Sequence, residues 1–379
     1  MTTLCRLLGA AALALVGLAA IAPAAAETLT VTDVLGRKVE VEAPVKRVIL
    51  GEGRQMYFVA ALDREDPFKR VVAWRDDLPK ADPDSYKQYL ARYPQIAKLP
   101  TFGGMKEGAF DIEQAIALKP DVLFMNVEAQ VANDEARLVE KLAGVGIPVV
   151  YVDFREKPML NTEPSMRLIG KLFDKERVAE EFISFRAAEI AKITDTLSRA
   201  KDLKKPLVMM ERAAGFSDDC CMSFGNENFG KMVEIAGGIN LAAKLIPGTF
   251  GTVNAEAIVA ANPDVVIITG GNWGAYVPNG KWVGLGPGTD LGEAKRKLKA
   301  LSERPAFAQT KAVKDGNVHA IWHQFYNSPY QFVAIQEIAK WLHPELFPNL
   351  DADATLKAMH ERFLPLPYEP GYWVSLEKR

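Results

Sequence analysis

Histidine and cysteine are scarce in this chain, at four and three among 379 residues. A protein-held metal ion usually needs a cluster of His and carboxylates, and a redox cluster needs several Cys. Direct metal ligation and an intrinsic cofactor are therefore not expected. No G-x-S-x-G nucleophile elbow occurs, and no Gly-Lys-Ser/Thr follows Gly51-Glu52-Gly53, so that turn is not a P-loop. Excess charge of one sign is also lacking. The 46 Lys and Arg against 48 Asp and Glu give a net charge of −2, which leaves no basic footprint for nucleic acid. These absences argue against an enzyme, with a secreted α/β metalloenzyme as the remote alternative.

One long apolar run is present, at the start. Met1 to Arg6 carry one positive charge, Leu7 to Ile21 are apolar, and Ala24-Ala25-Ala26 forms a small-residue cleavage site. Residues 1–26 therefore read as a signal peptide cleaved after Ala26, with an apolar run short for a membrane span. Cys5 precedes the apolar region, so it is no lipidated Cys of a mature N-terminus. Cys220 and Cys221 are neighbours, which leaves two readings open: a vicinal disulfide in an oxidising compartment, or two thiols with one side chain buried. About 350 remaining residues exceed one usual core and fit two domains.

The chain is organised around its middle. From Pro164 to about Leu203, Val178, Phe182, Ile183, Ile190, Ile193 and Leu197 recur at helical spacing, with Asp174 as the expected N-cap. A helix from Asp174 to Leu203 would be about 45 Å long. Its heptad is not sustained, so it reads as a bridge between two bodies rather than a coiled coil. The flanks repeat each other. Glu113, Pro120, Asp121 and Val122 lead into Leu123-Phe124-Met125, and Glu256, Pro263, Asp264 and Val265 lead into Val266-Ile267-Ile268 in the same register. Each copy is a short helix stopped by Pro and then a buried strand. The expected fold is α/β: two lobes with central parallel-rich sheets joined by one long rigid helix, with a ligand cleft between them. The expected limits are 27–163 and 206–379 for the lobes and 164–205 for the connecting segment.

In open α/β sheets ligands sit beyond the carboxyl ends of the strands. That rule nominates Glu52, Arg54, Trp74, Arg75 and Arg155 in the first lobe. In the second it nominates Arg212, Trp273, Trp322, His323, Phe325 and Tyr326. Arg presents planar, permanently charged donors to carboxylate, catecholate or hydroxamate oxygens, and aromatics supply flat area for a large chelate. His323 beside Trp322 and Gln324 reads more readily as a hydrogen-bonding residue than as a metal or haem ligand.

In residues 29–37, 44–49, 118–122, 236–240 and 262–265, taken in order around the central helix, the chain resembles ABC-transporter periplasmic substrate-binding proteins of the siderophore, haem and cobalamin class. The likeness covers the whole chain after the leader. It implies a periplasmic location, two lobes on a rigid helix with little hinge closure, and a small-molecule ligand in the cleft. It also implies one acidic surface residue per lobe, docking onto a dimeric inner-membrane permease; these carry over to Glu113 and Glu256, the same two residues marked by the repeat. The Arg-rich aromatic lining tilts the expected cargo to an Fe(III) chelate of a siderophore, with haem or cobalamin as alternatives. A ferric siderophore brings its own oxygen shell, so the protein need not ligate the iron. The protein is expected to act as a monomer.

Overall fold

A computed structural model describes residues 27–217 and 220–377. The leader and cleavage site expected for residues 1–26 lie outside the described residues.

The chain begins with an antiparallel hairpin, β1 (Glu27–Thr32) and β2 (Lys38–Ala43). Asp33 holds its turn by accepting hydrogen bonds from Leu35 N, Arg37 N and Arg37 Nε. The first lobe follows: β3 (Val48–Leu50), β4 (Val71–Arg75), β5 (Thr101–Phe102), β6 (Val122–Asn126) and β7 (Val149–Val152). All pairings in this five-stranded sheet are parallel, in the order β5-β4-β3-β6-β7. Both faces are covered, so the strands are almost continuously apolar. The strand order reverses beside β3, and crevices for ligands form at such points.

The second lobe holds β8 (Leu207–Glu211), β9 (Met222–Phe224), β10 (Ile239–Asn240), β11 (Phe250–Thr252), β12 (Val265–Gly270), β13 (Val318–Trp322) and β14 (Trp373–Ser375). Its sheet runs β11-β9-β8-β12-β13-β14, with β10 beside β8. The pairs β8–β12, β12–β13 and β8–β10 are parallel, while β9, β11 and β14 add antiparallel margins.

The internal repeat has a physical job. Asp121 opens β6 by donating its N–H to Arg47 O and accepting from Lys46 N (2.7 Å) and Arg47 N (2.9 Å). Asp264 does the same at β12, with Leu207 on both sides of the exchange (2.9 Å each). In each lobe the Pro-Asp-Val step pins the start of one strand to the start of its neighbour.

The bridge differs from the single helix predicted from Asp174. Pro158–Phe173 is one helix, with Pro164 inside it, and Glu176–Arg199 is the long one. Asp174 adopts left-handed geometry (φ 56°) and ends the first helix, so it is not the N-cap of the second. Lys175 N closes this turn on Gly170 O at 2.7 Å, a C-terminal cap of the Schellman type. A Cβ on Gly170 would meet Ala179 Cβ at 2.6 Å, so glycine permits the close helix crossing. The long helix is about 36 Å at 1.5 Å per residue. Its buried Phe182 meets Phe332 and Phe363 of the second lobe (6.3 and 5.2 Å between centroids). The first helix delivers Phe173 to Phe124 under β6 (5.9 Å). Side chains along both helices are fixed by packing, which makes the connection rigid. Among the described residues no helix is long and apolar enough to cross a membrane.

Candidate functional site

β3 ends at Leu50, and through Gly51 and Glu52 the chain turns into the short helical segment Gly53–Gln55. A Cβ on Gly53 would lie 2.5 Å from Arg75 O, so only glycine lets the two strand ends approach this closely. That approach brings Arg54 against Asp77. Arg54 Nε donates to Asp77 Oδ2 at 2.7 Å, its Nη2 pairs with Glu52, and its Nη1 donates to Tyr326 Oη (2.6 Å) and Gln324 Oε1 (3.3 Å). Glu52 also accepts from Asn126 Nδ2 and from Asn327 Nδ2 (2.6 Å for the latter). Burial pushes the Glu52 carboxyl up, but Arg54, Arg155, Arg75 and the Asn327 amide together outweigh it and hold it below its ordinary value. Glu52 and Arg54 thus form a buried, fully partnered network that ties the first lobe to the second. Other ties across the floor are Gln324 Nε2 to Ala81 O (2.7 Å) and Tyr330 Oη to Tyr57 O (2.7 Å).

Above this floor lies a cavity of about 250 Å³ between the lobes. Arg54, Gln324 and Tyr326 form its base, with Arg212, Phe216, Met222, Trp273, Tyr276 and His323 around it. The second lobe supplies most of the wall, because β8, β12 and β13 all end here. Arg212 is the first residue after β8, and His323 the first after β13.

The arginines do not have equal standing. Arg155 is paired with Glu128 and lies over the Tyr326 ring at 5.0 Å. Arg75 faces Glu107 at 3.2 Å and is partly exposed, where such a pair contributes little. Arg212 is different. Its guanidinium lies over the Phe250 ring (4.9 Å) and donates through Nη1 to Met222 Sδ (3.8 Å), while its buried Nε has no partner. Among the described residues no carboxylate pairs with it. Burial, and then the nearby Arg155, push its pKa below the ordinary value against the opposing pull of Tyr326. A partly desolvated cation without a counter-ion is what an anionic ligand would complete.

His323 Nδ1 is 2.9 Å from Thr269 Oγ1, and its ring faces Tyr326 (4.1 Å) and Trp273 (5.4 Å). Burial, then Arg212, Arg54 and Arg155, drive its pKa well below the ordinary value, so the ring is neutral at pH 7. Trp273 packs against Phe216 and Trp282, making one aromatic wall.

Of the residues nominated from strand ends, Arg54, Arg212, Trp273, His323 and Tyr326 line this cavity. Glu52, Arg75 and Arg155 are not in its lining and are held in ion pairs with Arg54, Glu107 and Glu128. Three nominations are corrected. Trp74 is 2 % exposed and packs on Phe68 and Tyr86 inside the first lobe. Trp322 and Phe325 are buried against each other and against Tyr372. Their side chains fill core, because apolar rings at a strand end gain more from packing than from an open cleft. Phe216, Met222, Tyr276 and Gln324 were missed. Gln324 adjoins a nominated residue, and Phe216 lies in the loop just after Arg212; Met222 and Tyr276 carry no local signal.

Cys220 and Cys221 are joined as a disulfide in the loop between Phe216 and Met222. Glu211 lies beside them, with both oxygens held by Arg304. Glu113 and Glu256 are exposed in the first turns of two equivalent helices, Ile112–Ala117 and Ala255–Ala261, capped by Asp111 and Asn254. Two larger surface grooves, of about 760 and 820 Å³, lie away from the cleft, along the hairpin and beside β10. Neither gathers residues from both lobes.

Two α/β lobes on a helical bridge, with a polar and aromatic cavity between them, are the architecture of a solute-binding protein. The chain belongs to the periplasmic binding protein family, whose model matches residues 61–323, and is the binding component of an ABC transporter. It is similar to the molybdate-binding protein MolA of Haemophilus influenzae, at 23 % identity over 362 residues, 90 % of this chain and 92 % of the relative. Among solved structures it is similar to the TroA-like periplasmic binding protein FepB from Veillonella parvula, at 28 % identity and a TM-score of 0.82, covering 92 % of this chain and 99 % of that one. It also shares the fold of Helicobacter pylori CeuE in a Ni-His complex, at 18 % identity and a TM-score of 0.65, covering 90 % and 96 %. The family places the protein in the periplasm.

Proposed function

We propose that this receptor captures an anionic Fe(III) chelate of the siderophore class and delivers it, as a monomer, to a dimeric inner-membrane permease for iron uptake. The observation that carries this is Arg212, a partly buried guanidinium with no carboxylate partner among the described residues, on an aromatic-walled cavity. A bare oxyanion would require several converging N–H donors. Here the Gln324 amide is committed to Ala81 O and the Ala213 amide to Thr269 Oγ1. What remains is a few donors set among Phe216, Trp273, Tyr276 and Met222, a lining suited to an organic ligand with flat apolar surface. At about 250 Å³ the cavity takes the charged end of a chelate, with the remainder standing in the mouth.

The small volume and the molybdate-binding relative favour a second reading, a tetrahedral metal oxyanion such as molybdate. Tryptophan-fluorescence titration separates the two, since Trp273 lines the cavity and Trp282 meets it edge to face at 6.3 Å. A ferric hydroxamate or ferric catecholate is expected to quench saturably at submicromolar concentration. Saturation by molybdate alone would establish the second reading, and saturation by haem or cobalamin would overturn both.

Permease docking is assigned to Glu113 and Glu256, one exposed carboxylate per lobe on matching helix starts. The double substitution Glu113→Ala/Glu256→Ala is expected to leave ligand affinity within about twofold and to cut uptake by at least tenfold, because exposed charges act at the partner surface and not in the cleft. Normal uptake by the double variant would remove the docking assignment.

A further inference from the structure

The hydrogen bonds behind His323 fix more than its position. Thr269 is fully buried on β12, next to the strand's end. Its hydroxyl accepts from Ala213 N at 2.8 Å and lies 2.9 Å from His323 Nδ1. A hydroxyl has one hydrogen to donate. The Ala213 amide is always a donor, so the Thr269 hydrogen needs an acceptor elsewhere. Among the described residues His323 Nδ1 is the acceptor within reach. The opposite arrangement would aim two N–H groups at one oxygen and leave a buried hydroxyl hydrogen with no acceptor. Such an orphan shifts an equilibrium by about tenfold or more.

We infer that Thr269 holds His323 with its proton on Nε2, so the cavity meets its ligand with a fixed N–H donor and rejects bare divalent cations at this imidazole. His323 lines the cavity and its Nδ1 is engaged at Thr269, which leaves Nε2 as the nitrogen available to a ligand, with no hydrogen bond to it among the described residues. The surroundings act in the same direction. Burial, and then Arg212, Arg54 and Arg155, keep the ring neutral, so Nε2–H is a neutral donor beside the Arg212 guanidinium, which meets no carboxylate among the described residues. A cation reaching Nε2 would have to move the proton to Nδ1, strand the Thr269 hydrogen and approach three guanidinium groups. A ligand oxygen meets no such cost. The selectivity deepens the anion-capturing reading given above and rests on it, whereas the tautomer itself does not.

Nitrogen-15 NMR of the ligand-free, full mature chain reads the tautomer directly, with the His323→Gln spectrum identifying the ring. The expected pattern is an unprotonated Nδ1 and a protonated Nε2 at pH 7. Thr269→Val is expected to lower the ratio of Nε2–H to Nδ1–H by about tenfold, and Thr269→Ser, which retains the hydroxyl, to restore it. A wild-type ring protonated on Nδ1, or on both nitrogens, overturns the inference, and that spectrum decides even if Thr269→Val does not fold. Titration of wild type with Ni(II) gives the second readout. The His323 signals are expected to remain unmoved, and their saturable loss would overturn the exclusion of cations. Neither measurement contains a siderophore, so failure of ferric chelates to bind would count against the proposed cargo alone.

Discussion

Replacing Arg212 with alanine is expected to weaken capture of the anionic ligand by about 30-fold or more while leaving the fold as stable as before. The affinity term is large because a ligand oxygen facing this guanidinium is partly removed from water, and truncating one partner of such a charged pair costs about 2–5 kcal/mol. The stability term is small for the complementary reason. No carboxylate among the described residues depends on Arg212, so its removal strands no buried charge. What the fold loses is the contact with Phe250 and the weak donation to Met222 Sδ. Arg212→Lys should recover only part of the affinity, since an ammonium retains the charge but not the planar fork. Equilibrium titration with the ligand found by fluorescence, beside urea unfolding, checks both halves. Affinity within threefold of wild type would remove Arg212 from the site.

The second substitution reverses that pattern. Arg54→Ala is expected to destabilise the protein by about 3–5 kcal/mol, because it leaves Glu52 and Asp77 buried without their cation. The amides of Asn126 and Asn327 on Glu52, and Gly53 N on Asp77, offset part of this, which points to the lower end of the range. The lobes should also loosen, since Arg54 connects β3 to Tyr326 and Gln324 of the second lobe. Removing the opposing charge as well, in Arg54→Met/Glu52→Gln, should recover a share of the stability, as buried ion pairs often exchange for uncharged side chains at little net cost. An unchanged urea midpoint for Arg54→Ala would show that the network carries no net stability. Two arginines that look equivalent in sequence, each just past a strand of its lobe, thus differ in their partners: Arg54 is hydrogen-bonded across the lobes, and Arg212 meets no carboxylate among the described residues.

That division explains how much was legible beforehand. The two-lobed α/β fold could be read because its signals are local. Apolar strands bounded by Gly and Pro, a helix-spaced apolar stripe from Val178 to Leu197, and the repeated Pro-Asp-Val step each reflect neighbours a few residues apart. The bridge was misplaced at its start because Asp174 fits an N-cap as well as a left-handed C-terminal position. The choice was made by Gly170, which alone lets the two helices cross closely enough to turn there. The site was half legible. Strand-end position gathered Arg54, Arg212, Trp273, His323 and Tyr326, which line one cavity, but placed Trp74, Trp322 and Phe325 with them, since an aromatic at the end of a strand has no sequence mark for the side it faces.

The sequence by itself determined two lobes, a helical bridge, matching acidic helix starts, and the strand ends that border the cavity. These follow from periodicity and turn chemistry along the chain. Only the tertiary structure decided which charges are already answered. Arg54 meets Asp77 across 23 residues and Tyr326 across 272, while Arg212 meets no carboxylate among the described residues. Pairing depends on distances of a few ångströms between separate strands. The availability of a charge for a ligand is therefore set by packing, and composition carries no record of it.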